Sequence, residues 1–108
     1  MVTKALLVRL DALPGKEAEL AAFLTGARSI VMDEPGTTAW FAIQLSPTSF
    51  GVFDVFPDDD ARNAHLAGGV GQALGPNTGV LFSKPQIETI DVLADKLPTS
   101  GGDSDAWD

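Results

Sequence analysis

The stretch at residues 38–56, TAWFAIQLSPTSFGVFDVF, decides the fold. Two runs rich in β-branched and aromatic residues, 38–45 and 50–56, flank the short polar segment SPTS, which is the pattern of a β-hairpin. The two strands are therefore expected to pair antiparallel. Because both runs are apolar at consecutive positions instead of alternating, the sequence predicts that both faces of the sheet are covered.

The segments before the hairpin supply one strand and one helix. Residues 2–10 (VTKALLVRL) contain neither Gly nor Pro and are rich in Val and Leu, which predicts a first strand. Across residues 16–32, apolar side chains recur at three- and four-residue spacing, which predicts an amphipathic helix. Pro35 and Gly36 end this segment before the hairpin begins.

The segments after the hairpin supply a second helix and a fourth strand. Pro57 and the acidic run 58–60 open the helix, and an Asp in that run is well placed to cap its free amides. The three glycines within residues 68–71 predict a break in it, since each costs about 1 kcal/mol relative to Ala. Residues 86–93 (QIETIDVL) predict the last strand, so the order of elements is βαββαβ.

This order predicts an α+β domain with a ferredoxin-like fold, in which two helices pack on one face of an antiparallel sheet. Since the strands are apolar on both faces, the second face is expected to meet the same face of another subunit and form a homodimer. Residues 1–97 are assigned to this domain. Residues 98–108 (PTSGGDSDAWD) are polar and acidic and are assigned to a flexible tail.

The amino-acid composition limits which classes of binding partner are expected for this chain. The 108 residues carry a net charge of −8, and the seven Lys and Arg residues are scattered, so nucleic acid and membrane are not expected partners and a neutral ligand is favoured. The chain has no cysteine, which excludes disulfides and thiolate metal sites. With neither a signal peptide nor a membrane span expected, the predicted location is cytoplasmic.

Three short motifs resemble the antibiotic biosynthesis monooxygenase domains in their order and spacing: LPGKE at 13–17, EPG at 34–36 and AHL at 64–66. The resemblance implies small ferredoxin-like subunits that pair sheet to sheet into a dimeric α/β barrel. Members of that family include cofactor-independent oxygenases, haem-degrading enzymes and proteins of signal-molecule breakdown. For this chain the resemblance implies a cofactor-independent monooxygenase that acts on a small aromatic or quinol-type molecule, bound between the sheet and the helices.

His65 is the candidate catalytic residue. It is the only histidine, it matches the histidine in the second helix of the family, and it could accept a proton near neutral pH. Because it is offset from the apolar stripe formed by Leu66, Val70 and Leu74, it is expected at the edge of the core. The alternative is a histidine that only caps the helix or covers its surface.

Three hairpin residues are candidate substrate-binding residues. Asp54 needs a partner if it is buried among its apolar neighbours. Trp40 could line a cavity, although packing in the core or the dimer is the stronger interpretation, since large aromatic side chains usually serve packing. Gln44 is the weakest candidate and shares a strand face with Trp40.

The chain also departs from the family. It has no tyrosine, whereas the best-known quinone-forming members use one in the pocket, and residues 72–74 and Phe56 stand where the haem-degrading branch has a histidine and a tryptophan. Haem is therefore not expected, nor is a metal, since one histidine without cysteine lacks the usual ligand set. Two alternatives stay open: a non-catalytic dimeric binding or stress-associated module, and an isomerase or lyase of a small metabolite.

Overall fold

The computed structural model describes residues 1–98, and it confirms the α+β, ferredoxin-like architecture. Its four-stranded sheet has the order β2-β3-β1-β4 with every neighbouring pair antiparallel. The tail assigned to residues 98–108 lies outside the described residues from position 99 onward. The elements are β1 (Lys4–Asp11), α1 (Glu17–Val31), β2 (Ala39–Gln44), β3 (Ser49–Phe56), α2 (Asp59–Leu66), α3 (Gly69–Asn77) and β4 (Gln86–Asp91).

The register of the hairpin sorts its side chains between two faces. Trp40 lies opposite Asp54, and Asp54 lies opposite Leu6 on β1, so these three share the face that the helices cover. Phe41 and Phe53, which also oppose each other, point to the other face. We call the helix-covered face the inner face and the other one the outer face.

Helix α1 packs on the inner face through a stripe at three- and four-residue spacing. Its buried residues are Leu20, Leu24, Ala27 and Val31. Leu20 and Leu24 complete the main core together with side chains from β1, β3 and the segment before β4, namely Val8, Leu10, Phe50, Val52, Leu81 and Phe82. Ala27 and Val31 form a separate cluster with Val70 of α3. Two acidic residues in the first turn of α1 lie where the helix dipole favours negative charge.

The second helical segment is divided, as its glycines predicted. Helix α2 begins after Asp58, whose Oδ1 accepts a hydrogen bond from the backbone N–H of Ala61 at 2.9 Å. Helix α3 follows after a short break. A Cβ at Gly71 would lie only 2.1 Å from the carbonyl oxygen of Leu66, so the two helices can adjoin this closely only with a glycine there.

The outer face is partly covered by the same chain. Val92 and Leu97 pack against a small cluster that includes Ala5 and Val55. Strand β4 ends at Asp91 rather than at residue 93 because Asp91 pairs with Lys4, where β1 begins. The homodimer through this face stays a prediction. Within residues 1–98, no helix is long and apolar enough to span a bilayer.

Candidate active site

His65 is buried, with 7% of its surface exposed, so the expectation that it lies at the edge of the core was wrong. Its ring centroid is 5.2 Å from that of Phe56. One turn earlier, Arg62 Nη1 donates to the backbone carbonyls of Ala5 and Ile90, both at 3.3 Å, which ties α2 to the sheet. The apolar stripe of the helix could not reveal this burial, because polar groups on other elements hold the ring.

Two carboxylates hold the imidazole of His65 from opposite sides. Nδ1 lies 2.5 Å from Glu34 Oε1, and Nε2 lies 2.7 Å from Asp54 Oδ2. The second contact is an ion pair when the ring of His65 is protonated. Asp54 is 1% exposed, and its Oδ1 has no hydrogen-bond partner among the described residues. We call these three residues the carboxylate–imidazole cluster.

Glu34 was missed as a site residue, although the motif EPG that contains it was recognised. It lies in the turn after α1, where its backbone N–H donates to the carbonyl of Val31 at 2.9 Å. Thr37 Oγ1 donates to Glu34 Oε1 at 2.9 Å. A Cβ at Gly68 would lie 2.9 Å from Glu34 Oε2, so a glycine there leaves room for the carboxylate. No local pattern pairs Glu34 with His65, since the two are 31 residues apart.

Asp54 and His65 both have a raised pKa, so each holds its proton more strongly than the isolated group would. Burial raises the pKa of Asp54, because the ionised carboxylate loses its water, and the contact with His65 offsets only part of this effect. Burial alone would lower the pKa of His65. The hydrogen bonds and charges of Asp54 and Glu34 outweigh that effect, so the pKa of His65 is raised above its ordinary value.

A cleft of about 710 Å³ lies between α1 and β2, next to the cluster. Glu34 and Thr37 line it, and His65 does not. His65 borders instead an apolar void of about 30 Å³, much smaller than an engineered apolar cavity of roughly 150 Å³ that binds benzene. The other residues of the cleft wall are Leu24, Thr25, Arg28, Val31, Met32, Thr38, Ala39, Trp40, Phe41 and Ala42.

The remaining candidates lie at different distances from this site. Trp40 packs against the core and also lines the cleft, and its Nε1 is buried with no hydrogen-bond partner among residues 1–98. Gln44 is exposed and lines a separate shallow pocket near Phe50. The structure therefore brings Asp54 and His65 into contact, places Trp40 in the neighbouring cleft and leaves Gln44 apart.

The polar contacts of the His65 ring are made within the protein. Both ring nitrogens of His65 face carboxylate oxygens of the protein. Among the residues that the structure describes, no three His, Cys, Asp or Glu side chains are grouped so that they could hold a metal ion.

A protein of unknown function from Nitrosomonas europaea is 50% identical to this chain, with a TM-score of 0.90 over 93% of this chain and 98% of that one. A proposed antibiotic biosynthesis monooxygenase from Caulobacter crescentus is 21% identical, with a TM-score of 0.72 over 86% and 92%. Another from Deinococcus radiodurans is 20% identical, with a TM-score of 0.73 over 91% and 99%. The last two show a shared fold. No family model and no curated protein matches the chain.

Proposed function

We propose that this chain, which belongs to the same family as the Nitrosomonas europaea protein and has the fold of the antibiotic biosynthesis monooxygenase domains, is a cofactor-independent monooxygenase. Its substrate would be a small, neutral hydroxyaromatic or quinol-type molecule. The observation that carries the proposal is a buried imidazole between two carboxylates, one of which lines a cleft together with Trp40.

The cleft suits such a substrate. Its volume of about 710 Å³ lies within the range of about 300–1,000 Å³ of small-molecule sites. Trp40 offers an aromatic surface for a planar ring, and Glu34 offers an acceptor for a hydroxyl group. The net charge of −8 disfavours anionic ligands, so the neutral form of the molecule is the one expected to bind.

In the proposed reaction, the step that the protein itself carries out is proton transfer. The hydroxyl O–H bond breaks, its proton goes to the carboxylate–imidazole cluster, and the electron pair stays on the substrate oxygen. The electron-rich anion then reduces dioxygen. One oxygen atom becomes a new carbonyl on the ring, and the other leaves as water with the hydroxyl hydrogen and the displaced ring hydrogen. Dioxygen accepts all the electrons. General-base catalysis of this kind accelerates a reaction by about 10² to 10⁴.

We also propose a homodimer that pairs through the outer face. Phe41 is 52% exposed on that face, next to Phe53 and Leu7, which are only partly buried. Contiguous exposed apolar surface of this kind marks an interaction site. The cluster and the cleft are built from one chain, so the dimer is proposed as a source of stability and not as a source of site residues.

Oxygen uptake tests the proposed reaction. We expect chelator-treated protein to consume oxygen with members of a panel of hydroquinones and naphthols, and His65→Ala to be slower by about 10² to 10⁴. Asn63→Ala, at an exposed position on the same helix, is the control and should match the parent. If the parent shows no uptake above buffer, the monooxygenase proposal is wrong and the non-catalytic binding module is the better account.

A further inference from the structure

Only one end of the carboxylate–imidazole cluster faces the cleft. Asp54 is 1% exposed and lies at the inner end, while the Glu34 side chain is 19% exposed and lines the cleft wall. His65 lies between them and does not reach the cleft. A ligand in the cleft can therefore exchange a proton with the cluster through Glu34.

We propose that Glu34, and not His65, is the catalytic residue that accepts the hydroxyl proton of the bound molecule, and that His65 and Asp54 are positioning residues behind it. This inference rests on the proposed function for its substrate class. It assigns to the site a ligand with a hydroxyl donor, since an ionised carboxylate accepts hydrogen bonds and cannot donate them.

The contacts of Glu34 fix its carboxylate for this role. Oε1 is held by Thr37 Oγ1 at 2.9 Å and by His65 Nδ1 at 2.5 Å. Oε2 lies 2.9 Å from where a Cβ at Gly68 would stand, so the backbone between α2 and α3 limits the orientation of the carboxylate. Such preorganisation lowers the cost of orienting the acceptor during the reaction.

The charges around Glu34 explain how it can act as a base. The ring of His65, when it is protonated, can offset the charge of one carboxylate, and the cluster contains two. When the O–H bond of the ligand breaks, the proton binds Glu34, and the positive ring remains between the two acids. The cleft wall also contains one cationic residue, Arg28 on α1, and this residue is exposed.

An anaerobic binding experiment tests the inference without turnover. The probes are 1-naphthol and its methyl ether, which differ by the hydroxyl proton. Because a hydrogen bond to a charged acceptor is strong, we expect the parent to bind the naphthol about 10- to 100-fold more tightly than the ether. In Glu34→Gln this preference should fall to a few-fold. Asp33→Asn, which removes a carboxylate from the exposed neighbouring residue, is the control and should keep it.

The ring signals of His65 provide a second readout, and they can be assigned without ambiguity because the chain has one histidine. We expect the naphthol to change the NMR-monitored pKa of His65 in the parent and the ether to leave it unchanged. Retention of the full naphthol preference in Glu34→Gln, or identical His65 titrations with both probes, would overturn the inference. Absence of oxygen uptake together with the Glu34-dependent preference would refute the monooxygenase and leave Glu34 as the proton-accepting group of a binding site.

Discussion

The two faces of the sheet carry different kinds of side chain, although the same strands build both faces. On the inner face, Asp54 and Trp40 carry polar atoms into the core, and His65 lies over them. On the outer face, the neighbouring residues Phe41 and Phe53 are apolar and incompletely covered. One step along either strand therefore separates a candidate reaction site from a candidate packing surface.

This difference shows what each face requires. A buried carboxylate such as Asp54 is tolerated only beside a partner that offsets the loss of water, and His65 supplies that partner from a helix. On the outer face, β2 and β3 carry no buried charge. The unfavourable free energy on that face comes from apolar side chains that remain exposed to water. Function on the inner face thus depends on geometry within the subunit. The stability of the outer face depends on what covers its apolar side chains.

The largest expected difference between the faces is in stability. Phe56 on the inner face is fully buried, so Phe56→Ala should lower the free energy of unfolding by about 3–5 kcal/mol. Phe41→Ala on the outer face should cost less than about 1 kcal/mol within one subunit, because 52% of that residue is already exposed. Urea denaturation of the two variants measures both. Equal losses would show that Phe41 is buried in solution, and a loss that depends on protein concentration would indicate the dimer.

A charge on the outer face should weaken association. We expect light scattering coupled to gel filtration to give a dimer mass for the parent at micromolar concentration and a smaller mass for Phe41→Asp. The charge would have to be buried in the interface, and a tenfold weakening corresponds to about 1.4 kcal/mol. Ile87→Asp is the control, because Ile87 is 48% exposed but belongs to the opposite side of the sheet, opposite Val8. A monomeric parent would rule out the dimer.

The smallest expected effect is the pH dependence of stability. The pKa of His65 is raised above its ordinary value of 6.5, so its stabilising contribution is fully present below pH 6.5 and is lost as pH rises through the raised pKa. The raised pKa of Asp54 acts with the same sign, because the folded state again binds more protons than the unfolded state. The melting temperature should therefore fall as the pH rises above 6.5. Glu34→Gln should flatten this decline, and a parent whose melting temperature rises over that interval would contradict the raised pKa.

The order of elements could be predicted because each one has a local signature. The hairpin followed from two apolar runs around SPTS, α1 from its apolar spacing, and the break between α2 and α3 from Gly68, Gly69 and Gly71. Strand ends were less well defined. β4 stops at Asp91 because its register with β1 ends at Lys4, which is a property of the pairing and not of the segment itself.

The candidate site was predictable only in part. Asp54 could be singled out because a carboxylate in an apolar strand needs a partner, and His65 because it is the only histidine. Their contact, and the third member Glu34, depend on three segments that are far apart in the chain. The cleft likewise depends on how α1 lies against β2, which no segment specifies alone.

The sequence by itself determined the α+β class, the βαββαβ order and the residues that could carry chemistry, because backbone propensity and side-chain periodicity are local. Only the tertiary structure decided that His65 is buried, that carboxylates occupy both of its nitrogens, and that Glu34 rather than His65 meets the cleft. These features arise where α2, β3 and the turn after α1 meet. Proton affinity at that point depends on burial and on neighbouring charges, which are fixed only when the chain has folded.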